Sequence, residues 1–154
     1  MANKAKPWIA YVDGSYNADC PEVVGIGILL LDESGNAVVK GGKTADNPTL
    51  LELNNIGGEI GAAWLAVSFA HQLGCKRLII YHDYMGVSNW PNGDWNANRT
   101  ATKLYAEEIN RFRNEEGMDI SFKHVDSHSD CIGNDTADYF ANGAVRHYIQ
   151  SRVA

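Results

Sequence analysis

Trp8-Ile9-Ala10-Tyr11-Val12-Asp13-Gly14-Ser15 is the stretch from which the rest of the chain is read. Its apolar run has no polar break, the pattern of a β-strand buried on both faces of a sheet. Gly14 ends the run and lets the chain turn. An acid therefore stands at the end of a central strand. A buried carboxylate is costly unless it is paired or holds a metal. Read alone, an aspartate before a glycine is a turn residue. The functional reading of Asp13 depends on whether other acids are placed to meet it.

A second stretch repeats the design. Arg77-Leu78-Ile79-Ile80-Tyr81-His82-Asp83 is again a short apolar run that closes on an aspartate. Strand alternation puts Ile79, Tyr81 and Asp83 on one face, as it does Ile9, Tyr11 and Asp13. If the two strands are parallel neighbours, both acids emerge at the same edge of the sheet, about 4.8 Å from strand to strand. Carboxylates at that range repel unless a proton or a cation lies between them.

The other elements follow from periodicity and breakers. Residues 23–31 and 37–42 read as a hairpin around the turn Asp32-Glu33-Ser34-Gly35-Asn36. Residues 44–54 read as a loop. Ile56, Ile60, Ala63, Trp64, Val67 and Ala70 share one helical face, with Gly74 as the stop. Residues 84–90 form a short helix, and 98–113 a longer one. Asp119 to Val125 alternates as a fifth strand. A polar loop, 126–134, leads to a last helix marked by Ala137, Phe140, Ala141, Ala144, Val145 and Tyr148. The order predicts an α/β fold with a five-stranded mixed sheet and helices on both faces. Glu59 and Asp138 are placed in the first turns of their helices, where the helix dipole alone would favour an acid.

With 154 residues, 45% hydrophobic and 21% charged, the chain fits one globular domain, residues 8–150, behind a disordered end at 1–7. No run approaches a membrane span, and the N-terminus lacks the apolar core of a signal peptide. Cys20, Cys75 and Cys131 are odd in number and lack zinc-finger spacing, as free thiols in a reducing cytosol would be. The expectation is a cytoplasmic protein, with no membrane partner and no obligate protein partner. The formal net charge of −6 argues against a nucleic-acid binder unless some acids are metal ligands.

Four acids from four elements, Asp13, Glu59, Asp83 and Asp138, suit the chemistry of Mg²⁺, which prefers oxygen donors. Taken with their flanking residues, the sequence resembles the type 1 ribonuclease H family over nearly its whole length. The pieces that carry the resemblance are Tyr11-Val12-Asp13-Gly14-Ser15-Tyr16-Asn17, Asn55-Ile56-Gly57-Gly58-Glu59-Ile60, Ile80-Tyr81-His82-Asp83-Tyr84-Met85-Gly86-Val87, and His128 followed by Asn134-Asp135-Thr136-Ala137-Asp138. The resemblance implies a ribonuclease H-like fold and an endonuclease that cuts the RNA strand of RNA–DNA hybrids, leaving 5′-phosphate and 3′-hydroxyl ends. It implies that Asp13, Glu59, Asp83 and Asp138 hold two Mg²⁺ ions (Mn²⁺ as substitute), with Asp13 between them. His128 would assist proton transfer or product release, as an imidazole near neutral pH can. Gly14, Ser15, Tyr16, Asn17 and Asn55 would lie along the RNA strand. Asn55 can donate to and accept from a 2′-hydroxyl, and it can equally serve as a helix cap.

The chain departs from the family in several places. Residues 87–103 lack the basic protrusion many members carry and offer Trp90 and Trp95 instead, either to stack on the DNA strand or to close the core. No separate hybrid-binding domain is evident. His82 and Tyr84 flank Asp83 unusually. His124, Asp126 and His128 also have the alternation of a mononuclear metal cluster. The alternatives to a ribonuclease H are a nuclease of the same superfold with another substrate, and a non-catalytic nucleic-acid-binding module.

Overall fold

Apolar alternation and small helix faces, rather than loops, bring the acidic stretches together. The computed structural model describes residues 6–126 and 131–152. The expected disordered end thus lies mostly outside the described residues, as does His128. The strands are β1 (Trp8–Ser15), β2 (Val24–Leu31), β3 (Ala37–Ala45), β4 (Arg77–His82) and β5 (Asp119–His124). The helices are α1 (Pro48–Leu51), α2 (Asn55–Gln72), α3 (Gly86–Asn89), α4 (Thr100–Asn114) and α5 (Ile132–Arg152). The sheet order is β3-β2-β1-β4-β5. β2 runs antiparallel to β1 and β3, while β4 is parallel to both β1 and β5. The mixed five-stranded sheet and the hairpin are as the sequence predicts, and the two acid-ending strands prove to be parallel neighbours, the condition on which their acids share an edge.

Helix α2 packs on β1 and β2, and α5 crosses the other face over β1, β2 and β3. The core lies mainly under α2. There Ala10, Val12, Leu30, Ala63, Val67, Leu78 and Ile80 are fully buried. The opposite face of β1 is only half-buried at Ile9 and Tyr11. The expectation of burial on both faces is therefore met fully on one side only.

Several boundaries differ for physical reasons. β3 continues to Ala45 because Lys43, Thr44 and Ala45 still pair with β2. The expected loop at 44–54 contains α1, which starts with Pro48 in its first turn, where a missing N–H costs nothing. Glu59 is the fifth residue of α2, not a first-turn acid, because the helix begins at Asn55. Asp138 likewise falls in the second turn of α5, which begins at Ile132, ahead of Asn134. Neither position owes much to the helix dipole, which fades beyond the first turn. That removes the bland account of both acids.

Candidate active site

Tyr11 and Tyr81 are the last partners in the β1–β4 ladder. Asp13 and Asp83 lie two residues beyond them, on the same edge of the sheet. Helix α2 reaches that edge because small residues let it. A Cβ on Gly14 would stand 2.3 Å from the Glu59 nitrogen and 2.5 Å from the Gly58 carbonyl carbon. Real Cβ contacts do not come that close, so glycine at 14 makes room for the second turn of α2. That turn delivers Glu59. On the other face Gly27 is in register with Asp13. A Cβ on Gly27 would lie 1.9 Å from the Ala137 carbonyl oxygen. Helix α5 thus rests directly on the strand backbone opposite Asp13 and brings Asp138 beside it.

The result is a carboxylate cluster. Side-chain oxygens of Asp13, Glu59 and Asp83 lie within 4.8 Å of one another. Asp13 and Glu59 are each only 4% exposed, so neither charge is solvated by bulk water. Asp138 is exposed and outside that set, yet close enough to share a hydrogen bond with Asp13. Burial first, and then Asp138 and Asp83, push the Asp13 carboxyl up to about 7, against a hydrogen bond with Glu59 that lowers it. Burial and contact with Asp13 raise Glu59 well above the usual carboxyl range, with the Gly14 main chain working against them. Asp83 is raised by burial, partly offset by main-chain hydrogen bonds at Tyr84 and Asp83 itself.

Among the described residues no lysine or arginine forms an ion pair with any of the three acids. When the cluster is ionised, the buried Glu59 Oε2 has no donor. Only a proton or a cation can lie between such groups. Oxygen-only donors from separate elements fit a hard divalent cation, and the residues present suit one.

The expected substrate-side residues gather at the same end. The Gly14 N–H donates to Asp13 Oδ1 at 3.0 Å. The Ser15 hydroxyl donates to Asn142 Oδ1 at 2.6 Å and so ties β1 to α5. Tyr16 is half-buried. Asn17 is exposed, and its Oδ1 accepts the Asp19 N–H at 2.9 Å. Asn55 is exposed at the first position of α2 and does not cap it. The cap position is Asn54, in a left-handed conformation with φ 54° and without a side-chain cap bond. The Asn55 carbonyl oxygen would stand 2.6 Å from a Gly14 Cβ, which puts this residue beside the β1 terminus.

Sequence reading missed the surroundings of Asp83. His82 is 1% exposed, and burial lowers its imidazole below the usual value. Its Nδ1 donates to the Tyr84 carbonyl at 2.9 Å. His124 Nε2 donates to the Asp83 carbonyl at 2.9 Å. These roles depend on the β4–β5 register, which the sequence alone leaves open. Of the His124/Asp126/His128 alternative, His128 lies outside the described residues, and His124 is engaged at the Asp83 carbonyl. Trp90 packs against the core, whereas Trp95 is 41% exposed. Both contact the Tyr84 ring.

The architecture is that of the ribonuclease H-like fold. The ribonuclease H1 of the archaeon Halobacterium salinarum superposes with a TM-score of 0.74 at 23% identity, over 92% of this chain and 98% of that one. A ribonuclease H1 isolated from compost, solved with an RNA/DNA hybrid, gives 0.75 at 19% identity over 92% and 99%. The family model described as reverse transcriptase-like matches residues 11–144, and the chain belongs to that family. Among curated proteins it is similar to human ribonuclease H1, at 38% identity over 93 residues. That match takes in 54% of this chain but 32% of the human protein, so the chain spans about a third of the length of such relatives.

Proposed function

We propose that the chain is an endoribonuclease that hydrolyses the RNA strand of RNA–DNA hybrids with divalent metal ions, leaving 5′-phosphate and 3′-hydroxyl ends. The observation that carries this reading is the Glu59 carboxylate. It is buried between Asp13 and Asp83, with one oxygen lacking any donor. A module that merely binds polyanions has no use for converging negative charges. The similarity to human ribonuclease H1 and the fold shared with a hybrid-bound ribonuclease H1 support the substrate class.

In this reading Asp13, Glu59 and Asp83, with Asp138 at the open side, would hold Mg²⁺. Mn²⁺ accepts the same oxygen donors. Bound ions of this kind supply an activated water and stabilise the leaving 3′ oxygen. The chain's own residues do the rest. The carboxylates orient the scissile phosphate by fixing where positive charge can sit. Main chain at Gly14, Ser15 and Tyr16, with Asn17 and Asn55, follows the RNA strand, and the uncommitted Asn55 amide can read a 2′-hydroxyl. His128 is assigned the proton-transfer or product-release role.

The test is cleavage of labelled RNA–DNA hybrid, double-stranded RNA and single-stranded DNA, with Mg²⁺ or with EDTA. Only hybrid should be cut, and only with metal. Asp83→Asn should lower the rate at least about a thousandfold while the protein still folds, as expected when an electrostatic group central to the reaction is removed. Intact hybrid, or equal cutting by the variant, would refute the reading.

A further inference from the structure

Asp83 poses a positional problem. It lies one residue past β4, in a turn, and its carboxylate faces Glu59 and Asp13. Ionised, those neighbours repel it. A side chain on a loose turn would swing out to water and leave the cluster incomplete.

The main chain beneath it is not loose. Consecutive carbonyls at His82, Asp83 and Tyr84 each have a donor. The Val125 N–H donates to the His82 carbonyl at 2.8 Å. His124 Nε2 meets the Asp83 carbonyl, and His82 Nδ1 the Tyr84 carbonyl, each at 2.9 Å. The Tyr84 carbonyl also accepts the Val87 N–H at 3.2 Å, where α3 begins. His82 and His124 are partners in the parallel β4–β5 register, and their rings are 5.9 Å apart.

A carbonyl oxygen only accepts, so each of these ring nitrogens must carry its hydrogen. For neutral His82 this leaves Nε2 bare. That atom is buried and has no partner. Packing alone does not explain it, since a phenylalanine would fill the space without an unpaired polar atom. The ring is held for its Nδ1–H.

We propose that His82 and His124 are positioning residues whose ring N–H groups pin the Tyr84 and Asp83 carbonyls and so hold the Asp83 carboxylate toward Glu59 and Asp13 before any metal binds. This rests on the metal-site reading above. Outer groups that orient a ligand commonly change metal affinity ten- to a hundredfold when removed.

The experiment uses the full chain. Without metal, long-range ¹H–¹⁵N correlation spectra report the imidazole tautomers. His82 should carry its hydrogen on Nδ1 and His124 on Nε2; a hydrogen on His82 Nε2 overturns the proposal. Exposed His124 is then changed to Phe and to Gln, whose amide restores a donor. Calorimetric titration should show His124→Phe binding Mn²⁺ about tenfold more weakly, with His124→Gln recovering most of the loss. In the metal-free proteins, amide exchange at Val87 and Val125 should quicken in the Phe variant alone. On hybrid substrate kcat should fall with KM unchanged. Wild-type affinity and exchange in the Phe variant refute the clamp. Failure of the wild type to bind Mn²⁺ refutes the metal-site reading instead, and the tautomer and exchange data still decide the clamp.

Discussion

Asp13 is held in a place that its own charge makes unfavourable, and the pH dependence of the fold should show it. Its carboxyl ordinarily titrates at 3.8 and in the folded chain is pushed up to about 7. A raised carboxyl binds its proton more tightly folded than unfolded. The stabilisation is therefore fully present below the ordinary value and is lost as the pH climbs through the folded one. Glu59 and Asp83 shift in the same direction. In EDTA the melting temperature should fall between about pH 4 and pH 8. Asp13→Asn should flatten that slope and melt higher than wild type at pH 8. Mg²⁺ at a hundredfold excess over its Kd should add about 2.7 kcal/mol, or roughly 5–10 °C for a domain of this size. The gain should be larger at pH 8 than at pH 5, since protons compete with the ion. Scanning calorimetry at the two pH values, with and without Mg²⁺, checks this. A wild-type curve that is flat with pH and indifferent to Mg²⁺ would contradict it.

At the scale of elements, glycines in β2 and β3 decide where α5 lies. Beside Gly27, Cβ atoms on Gly25 and Gly42 would come within 2.4 Å of the Ala141 and 2.2 Å of the Phe140 carbonyl oxygens. Gly27→Ala must push the helix off the sheet and carry Asp138 away from Asp13. It should destabilise the fold by about 3 kcal/mol or more and lower hybrid cleavage further than the loss of folded protein explains. Gly35→Ala is the control. Gly35 has φ 83° with nothing near its Cβ position, so the change should cost about 1 kcal/mol and leave the activity of the folded protein intact. Thermal melts and cleavage rates of the two variants decide it. Much of this arrangement was readable in the sequence. Matching apolar runs ending at Asp13 and Asp83 foretold two strands of one design, though not that they pair in parallel, and the face containing Ile60, Ala63 and Val67 foretold α2. Helix starts were less legible. Pro48 reads as a loop breaker although it opens α1, and α5 begins within a polar stretch whose Ile132 is 81% exposed and carries no burial signal. The paired roles of His82 and His124 were not legible, because they exist only once β4 and β5 lie in register.

For the whole molecule, the net charge of −6 bears on how it meets a polyanion. Metal held at the carboxylates would offset repulsion locally, and the 13 lysines and arginines are outnumbered by 19 acids. Hybrid binding by the non-cutting Asp83→Asn variant should weaken with salt by a shallow slope, about −3 or less in log–log terms. Fluorescence anisotropy between 50 and 300 mM salt measures it; a steep slope would reveal a basic face not evident in this chain. No helix among the described residues is long and apolar enough to cross a membrane. The contact between α5 and the bare backbone of β2 has a consequence in time. Asp13 lies on the first strand and Asp138 on the last described helix, and the two meet only through that helix. A chain still leaving the ribosome can form β1 to β5 and gather Asp13, Glu59 and Asp83, but it lacks the fourth acid until α5 has emerged and settled on Gly27. The order of synthesis thus delays completion of the four-acid cluster until α5 has been made.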